Sequence, residues 1–128
     1  FLDIETFGQS LACIGIAANE SEAICVPFWN EDGTFYWSEA DSLPVVELFN
    51  KFLFDKSLKK VMQNGSFDTD VLEGFGFVVN GWVADTMVMH HTVYTELKHS
   101  LAFMHSIYVR GPYYKDMFHG EKDEVEES

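Results

Sequence analysis

Apolar and acidic residues alternate at the start of the chain: Leu2 and Ile4 interleave with Asp3 and Glu5. Residues two apart in an extended strand share a face, so the two acids point one way, about 7 Å apart, and the two aliphatics point the other. Residues 11–19 (LACIGIAAN) and 22–28 (EAICVPF) are strand-length apolar runs joined by the polar turn Asn19, Glu20 and Ser21, which predicts an antiparallel three-stranded meander. The aromatic stretch 29–40, with Gly33 and several acids, reads as a loop or small hairpin. From Pro44 onward Val45, Val46, Leu48, Phe49, Phe52 and Leu53 recur at helical spacing, with Asp41 or Ser42 as N-cap and Pro44 in the first turn. Val61 and Met62 form a short strand stopped by Gln63, Asn64 and Gly65, and Ser66 is placed to cap a helix reaching Gly74 or Gly76. Phe77–Val79 reads as a brief strand, and Asp85 and Ser100 open two further helices. Three strands, then alternating helix and strand, then helices, describe an α/β domain: a mixed sheet with helices packed on its faces.

Length and composition narrow this picture. At 128 residues, 47% hydrophobic and with twelve Phe, the chain is expected to form at most one domain, with a substantial core rather than a disordered chain. It contains no apolar run near the roughly 20 residues of a membrane helix, and no signal-peptide pattern. Cys13 and Cys25, on consecutive strands, are expected as plain thiols in a reducing compartment, the cytoplasm of a prokaryotic or phage-infected cell. Because the chain opens inside a strand without Met and ends in the solvated acidic run EKDEVEES, it is expected to be a fragment of a longer protein. A net charge of −13 excludes a broad basic surface for duplex nucleic acid. It leaves open a cluster of acids whose sign is reversed locally by divalent cations.

Asp3 and Glu5 alone are weak evidence for such a cluster, since acid triplets of this kind are common. The second piece is NGSFD, residues 64–68, where Asn64 and Gly65 end a strand and Asp68 falls in the first turn of the next helix. The helix dipole is expected to keep Asp68 ionised there. Three acids on elements otherwise committed to burial call for a shared role. Elsewhere plainer readings win. Asp85, followed by Thr86, reads as the N-cap of its own helix. His90 and His91 are adjacent, and His99 and His105 lack the spacing of a helical metal pair, so a zinc site is not expected. Lys59 and Lys60 read as solvated, Met87, Met89, Phe103 and Met104 as core, and the aromatics of 28–37 as cover for the sheet edge or stacking surfaces for bases.

The succession DIET, NGSFD, ADTMVMHH and HSLAFMHSIY resembles the 3′-5′ exonuclease domain of the DEDD superfamily, which has the ribonuclease H-like fold. With the PYYKD segment, it is most similar to the proofreading domains of family A DNA polymerases, over residues 1 to about 116. The resemblance implies a mixed five-stranded sheet flanked by helices, truncated at its C-terminal end, with an incomplete exonuclease domain over residues 1–118 and an acidic tail or cut loop over 119–128. It implies that Asp3, Glu5 and Asp68 are catalytic ligands of two divalent cations, Mg2+ or Mn2+, with Asp3 bridging them. Such all-oxygen sites suit hard cations rather than zinc. It further implies that the backbone at Thr6 touches the 3′ end, that Asn64 lies near the scissile phosphate or terminal sugar, and that Phe67 belongs to the same substrate-binding motif. Partners would be a single-stranded 3′ end of DNA, with RNA as the alternative, and a polymerase domain of the parent protein, with no membrane.

One family feature is missing. A Tyr or His ahead of a fourth metal-binding Asp should follow the helix that begins at Ser100; Tyr113 and Tyr114 precede Asp116 at the wrong interval, so that motif is expected beyond Ser128 and activity of the isolated fragment is expected to be impaired. Two alternatives stay open: an exoribonuclease of the RNase D type, and a silent domain that binds nucleic acid or a polymerase as a scaffold.

Overall fold

A computed structural model of the chain describes residues 1–109. The described residues fall into two compact units, one ending at Thr86 and one beginning at Met87. Asp116, the expected boundary near residue 118 and the acidic tail lie outside the described residues.

The first unit opens with the expected meander: β1 (Leu2–Phe7), β2 (Ser10–Ala17) and β3 (Ala23–Pro27), antiparallel in that order. Leu2 and Ile4 are buried while Asp3 and Glu5 are exposed, the two-residue period that a half-covered strand dictates. Cys13 and Cys25 are free thiols on neighbouring strands, and burial, followed by the Cys25 thiol, pushes Cys13 up to about 11. Helix α1 (Glu39–Phe54), strand β4 (Lys60–Met62), helix α2 (Gly65–Gly74) and strand β5 (Trp82–Asp85) follow. β4 and β5 pair in parallel with α2 as the crossover, and β1 lies beside β4 and α2. The described residues therefore hold five strands, hydrogen-bonded as an antiparallel three and a parallel two, with helices between them.

Leu2, Ile4, Leu11 and Ile14 of the meander meet Phe49 and Leu53 of α1, Met62 of β4 and Leu72 of α2 in one core. Phe28 sits at its centre, edge-on to Phe49 at 5.4 Å and to Phe77 at 6.3 Å. The aromatics after β3 thus belong to packing: Trp29 pairs with Phe35 at 5.1 Å, and Trp37 donates its indole N–H to the Pro27 carbonyl at 2.7 Å.

Several boundaries differ from the sequence expectation. Helix α1 starts upstream of Pro44, because Ser38 accepts from the Asp41 N–H and donates to its carboxylate; Pro44 falls in the second turn. The strand expected at residues 77–79 is irregular, because Phe77 turns into the core; β5 comes later, and its Trp82 and Val83 are exposed. Lys60 is not solvated. It is 1% exposed, with its ammonium donating to the carbonyls of Leu53 and Asp55 at 3.2 and 2.8 Å and lying over the Phe52 ring. A cation there satisfies the orphan carbonyls at the end of α1 and complements the helix dipole. Desolvation holds its pKa below the ordinary lysine value.

The second unit contributes α3 (Thr86–Val93), whose first residue belongs to the first unit, and α4 (Leu101–Tyr108), capped by the Ser100 hydroxyl as expected. Met87, Phe103 and Met104 are half-buried, whereas Met89 is exposed and so is not the core residue it was expected to be.

Gly65 marks the tightest approach of α2 to the sheet. A Cβ there would stand 2.7 Å from the Met62 sulfur and the Trp82 ring and 2.8 Å from Met62 Cβ, whereas Gly74 at the other end of α2 has nothing within 4 Å. Gly65→Ala is therefore expected to cost about 1–3 kcal/mol through overpacking. Gly74→Ala should instead gain about 0.5 kcal/mol by stiffening the unfolded chain. Urea unfolding of the two variants should give midpoints on opposite sides of the parent's.

Candidate active site

Strand β1 offers the first two acids. Asp3 and Glu5 lie opposite Gly15 and Cys13 of β2, on the face turned away from the core, and the register slips between Glu5 and Thr6. A bulge of this kind re-aims the backbone beyond it. It does so here where Thr6 leaves the acid pair.

Asp68 comes to the same place from α2. The helix starts at Gly65, so Asp68 falls on its first turn, as expected, and its side chain is buried at 4% exposure. The cap is Asn64, not Ser66: it adopts a left-handed conformation (φ 55, ψ 46) and makes no side-chain cap bond. The first turn aims Asp68 back at β1, where it receives a hydrogen bond from the Ile4 backbone; its Oδ2 is buried with no hydrogen-bond partner.

That environment overrides the helix dipole. Burial first, then the charge of Asp3, with smaller pushes from Glu5 and Asp85, raises the Asp68 carboxyl from 3.8 to about 7 against the lowering effect of the Ile4 hydrogen bond. The expectation of a firmly ionised Asp68 is corrected accordingly. A desolvated carboxylate beside two like charges holds a proton until a cation replaces it.

Asp85 has a role that sequence reasoning did not find. It ends β5 directly before α3, the helix it was expected to open, and it is buried. Its carboxylate accepts from the Asn64 N–H at 3.0 Å and the Gly65 N–H at 2.7 Å. It thereby caps α2, which starts 20 residues earlier in the chain. Next to it the Thr86 hydroxyl donates to the Gln63 side chain and reaches the Met62 carbonyl at 3.5 Å.

Of the three residues expected at the substrate, Asn64 and Phe67 are exposed at the start of α2, and Thr6 is half-buried at the end of β1. Thr6 and Phe67 share the walls of one open groove of about 290 Å³ with Gly8, Gln9, Val71 and Phe75. In the second unit, His99 comes back from the loop after α3 so that its two ring nitrogens meet His90 at 2.8 Å and His91 at 2.9 Å. Helical spacing could not reveal this contact, because the third ring lies off the helix.

A family model described as a 3′-5′ exonuclease, of the DNA polymerase A type, matches residues 2–122. The chain belongs to the 3′-5′ exonuclease family. A comparison with curated proteins finds no match.

For a 3′-5′ exonuclease, the donor set around Asp68 has the right chemistry: hard carboxylate oxygens of one sign, one of them buried without a partner. Among the described residues, no three His, Cys, Asp or Glu side chains close on one point as a ready-made ion site. The side chains of Asp3 and Glu5 are exposed on the strand face turned away from the core, and their charges act on Asp68.

Metal-free protein carries a clear pH signature. The folded pKa of about 7 lies above the 3.8 of the free side chain, so the folded state retains a proton that the unfolded chain has released. Stability from this group is fully present below about pH 4 and is lost as pH rises to about 7, with no further change above. In chelator, thermal melts from pH 4 to 8 should show this decline, and Asp68→Asn should flatten it.

Proposed function

We propose that this 3′-5′ exonuclease domain uses divalent cations, Mg2+ or Mn2+, to remove nucleotides from a single-stranded 3′ end of DNA, as the proofreading part of a DNA polymerase in a reducing cytoplasm. The observation that carries the reading is the buried, unpartnered Oδ2 of Asp68, crowded by Asp3 and Glu5. A polar atom of this kind in an apolar setting costs free energy unless something charged meets it.

Asp3, Glu5 and Asp68 would hold the cations. A pair of such ions, when bound, supplies a nucleophilic water near neutral pH and neutralises charge on the leaving oxygen. Asp68, protonated near neutrality in metal-free protein, gives up its proton as the site fills. Beyond the bulge, the backbone at Thr6 would meet the terminal nucleotide, and the half-exposed ring of Phe67, which lines the same groove, would stack on its base. Asn64, left-handed with its side chain unused for capping, can reach a phosphate or sugar oxygen. A groove with mostly apolar walls, in which Thr6, Gln9 and Asp70 are the polar members, would accept any base, as removal of whichever nucleotide stands at the 3′ end requires.

In the protein that carries this domain, Asp3→Ala, Glu5→Ala and Asp68→Ala are each expected to cut the rate on a 5′-labelled single-stranded oligonucleotide about a thousandfold, the worth of several kcal/mol of transition-state stabilisation. Full activity in any of the three would sink the assignment. Running DNA and RNA versions of that oligonucleotide side by side decides between a proofreader, which favours DNA, and an RNA-trimming enzyme, which favours RNA.

A further inference from the structure

The start of α2 lacks the ordinary means of holding itself in place. A helix begins with four backbone N–H groups that have no partner within it, and commonly the N-cap side chain accepts one of them. Asn64 does not, and it occupies a left-handed conformation that asparagine tolerates better than most residues but that its surroundings must still select. The constraint comes from β5: both oxygens of the buried Asp85 carboxylate are used, one on the N–H of Asn64 and one on the N–H of Gly65. Thr86 extends the same grip to Gln63 and the Met62 carbonyl, so residues 85 and 86 hold the whole passage from β4 into α2. Gly65 lacks room even for a Cβ, so the helix start cannot slide to find another position.

Asp68 is three residues beyond Gly65, on that first turn. Any tilt at Gly65 is therefore carried to the carboxylate facing Asp3 and Glu5. We propose that Asp85 is a positioning residue of the exonuclease site: by clamping the Asn64 and Gly65 N–H groups with its two oxygens, it fixes where α2 delivers Asp68 for cation binding. The inference rests on the reading of Asp68 as a cation-holding acid, and it adds a residue outside the set that meets cation or substrate. Partners that orient metal ligands from behind are worth about 10- to 100-fold in metal affinity or activity.

The decisive experiment measures Mn2+-dependent degradation of a single-stranded oligonucleotide by the protein carrying this domain. Asp85→Asn keeps the side chain's size but turns an amide N–H2 toward one of the two backbone donors. The half-saturating Mn2+ concentration is expected to rise about 10- to 100-fold. KM for the oligonucleotide should stay within about twofold, and saturating Mn2+ should restore most of kcat. If Asp85 matters to folding alone, the melting temperature falls while the folded protein keeps the parent's Mn2+ dependence, and the proposal is overturned. Asp85→Glu retains the charge and both acceptors on a stem one methylene longer, and serves where Asp85→Asn does not fold. It should raise the Mn2+ requirement severalfold, and an unchanged requirement there overturns the proposal too. Asp68→Ala in the same assay separates the two levels: if it leaves Mn2+ dependence intact, the cation site itself is misassigned, whereas if it abolishes activity and the Asp85 variants match the parent, only the positioning role is lost.

Discussion

The side chain of Asp68 is buried in a place where a carboxylate is costly to keep. Desolvation and the charges of Asp3 and Glu5 all act against its ionisation, and a single backbone hydrogen bond from Ile4 acts for it. Folding nevertheless sets Asp68 within reach of the charges of Asp3 and Glu5, because Leu2 and Ile4 on the other face of β1 and Leu72 on α2 are committed to one core. Packing that core fixes strand against helix, and the acids follow on the faces the core leaves over. The apolar pattern thus builds a site whose electrostatics it opposes, and a proton or a cation must supply the balance.

Two other buried charges hold the helices that frame this arrangement, each at the end where the helix dipole favours it. Lys60, at the start of β4, closes the C-terminal carbonyls of α1, and Asp85, at the end of β5, closes the N-terminal N–H groups of α2. A cation at a helix C-terminus and an anion at an N-terminus are both favourable, and full hydrogen bonding offsets the desolvation that would make either costly alone. The paired strands β4 and β5 thereby serve as anchor points for the neighbouring helix ends, which is why so short a parallel pair can carry a buried lysine and a buried aspartate.

How much of this could be read from the sequence depends on the range of the interaction. The meander, the acids on the open face of β1 and the first-turn position of Asp68 follow from local periodicity, and the order of DIET and NGSFD was enough to suggest the family that residues 2–122 match. Non-local effects were not legible. Asp85 followed by Thr reads as a local cap, and only the fold shows its carboxylate reaching back to Asn64 and Gly65. Lys60 reads as a solvated lead-in, since nothing nearby in sequence announces that the end of α1 needs a donor. The strand expected at 77–79 is apolar for a different reason, because Phe77 fills the core from irregular backbone. The ionisation of Asp68 was misjudged because the dipole of its own helix is a local feature, while Asp3 and Glu5 are more than 60 positions away in sequence.

The overall charge of the chain bears on how such a site meets its substrate. At −13, the protein repels a polyanion over most of its approach, and the described site adds acids rather than bases to that field. On the proposed reading, attraction would arise close to Asp3, Glu5 and Asp68, from cations that answer the carboxylates and the phosphate together. Binding of the two would then be linked, each raising the other's affinity by the same factor. The groove walls at Thr6 and Phe67 add contacts that do not depend on charge, which favours a frayed, unpaired end over a duplex whose backbone would have to lie along an acidic surface. On the proposed reading, a preference for a single-stranded 3′ end would follow from that net repulsion combined with attraction confined to the acids.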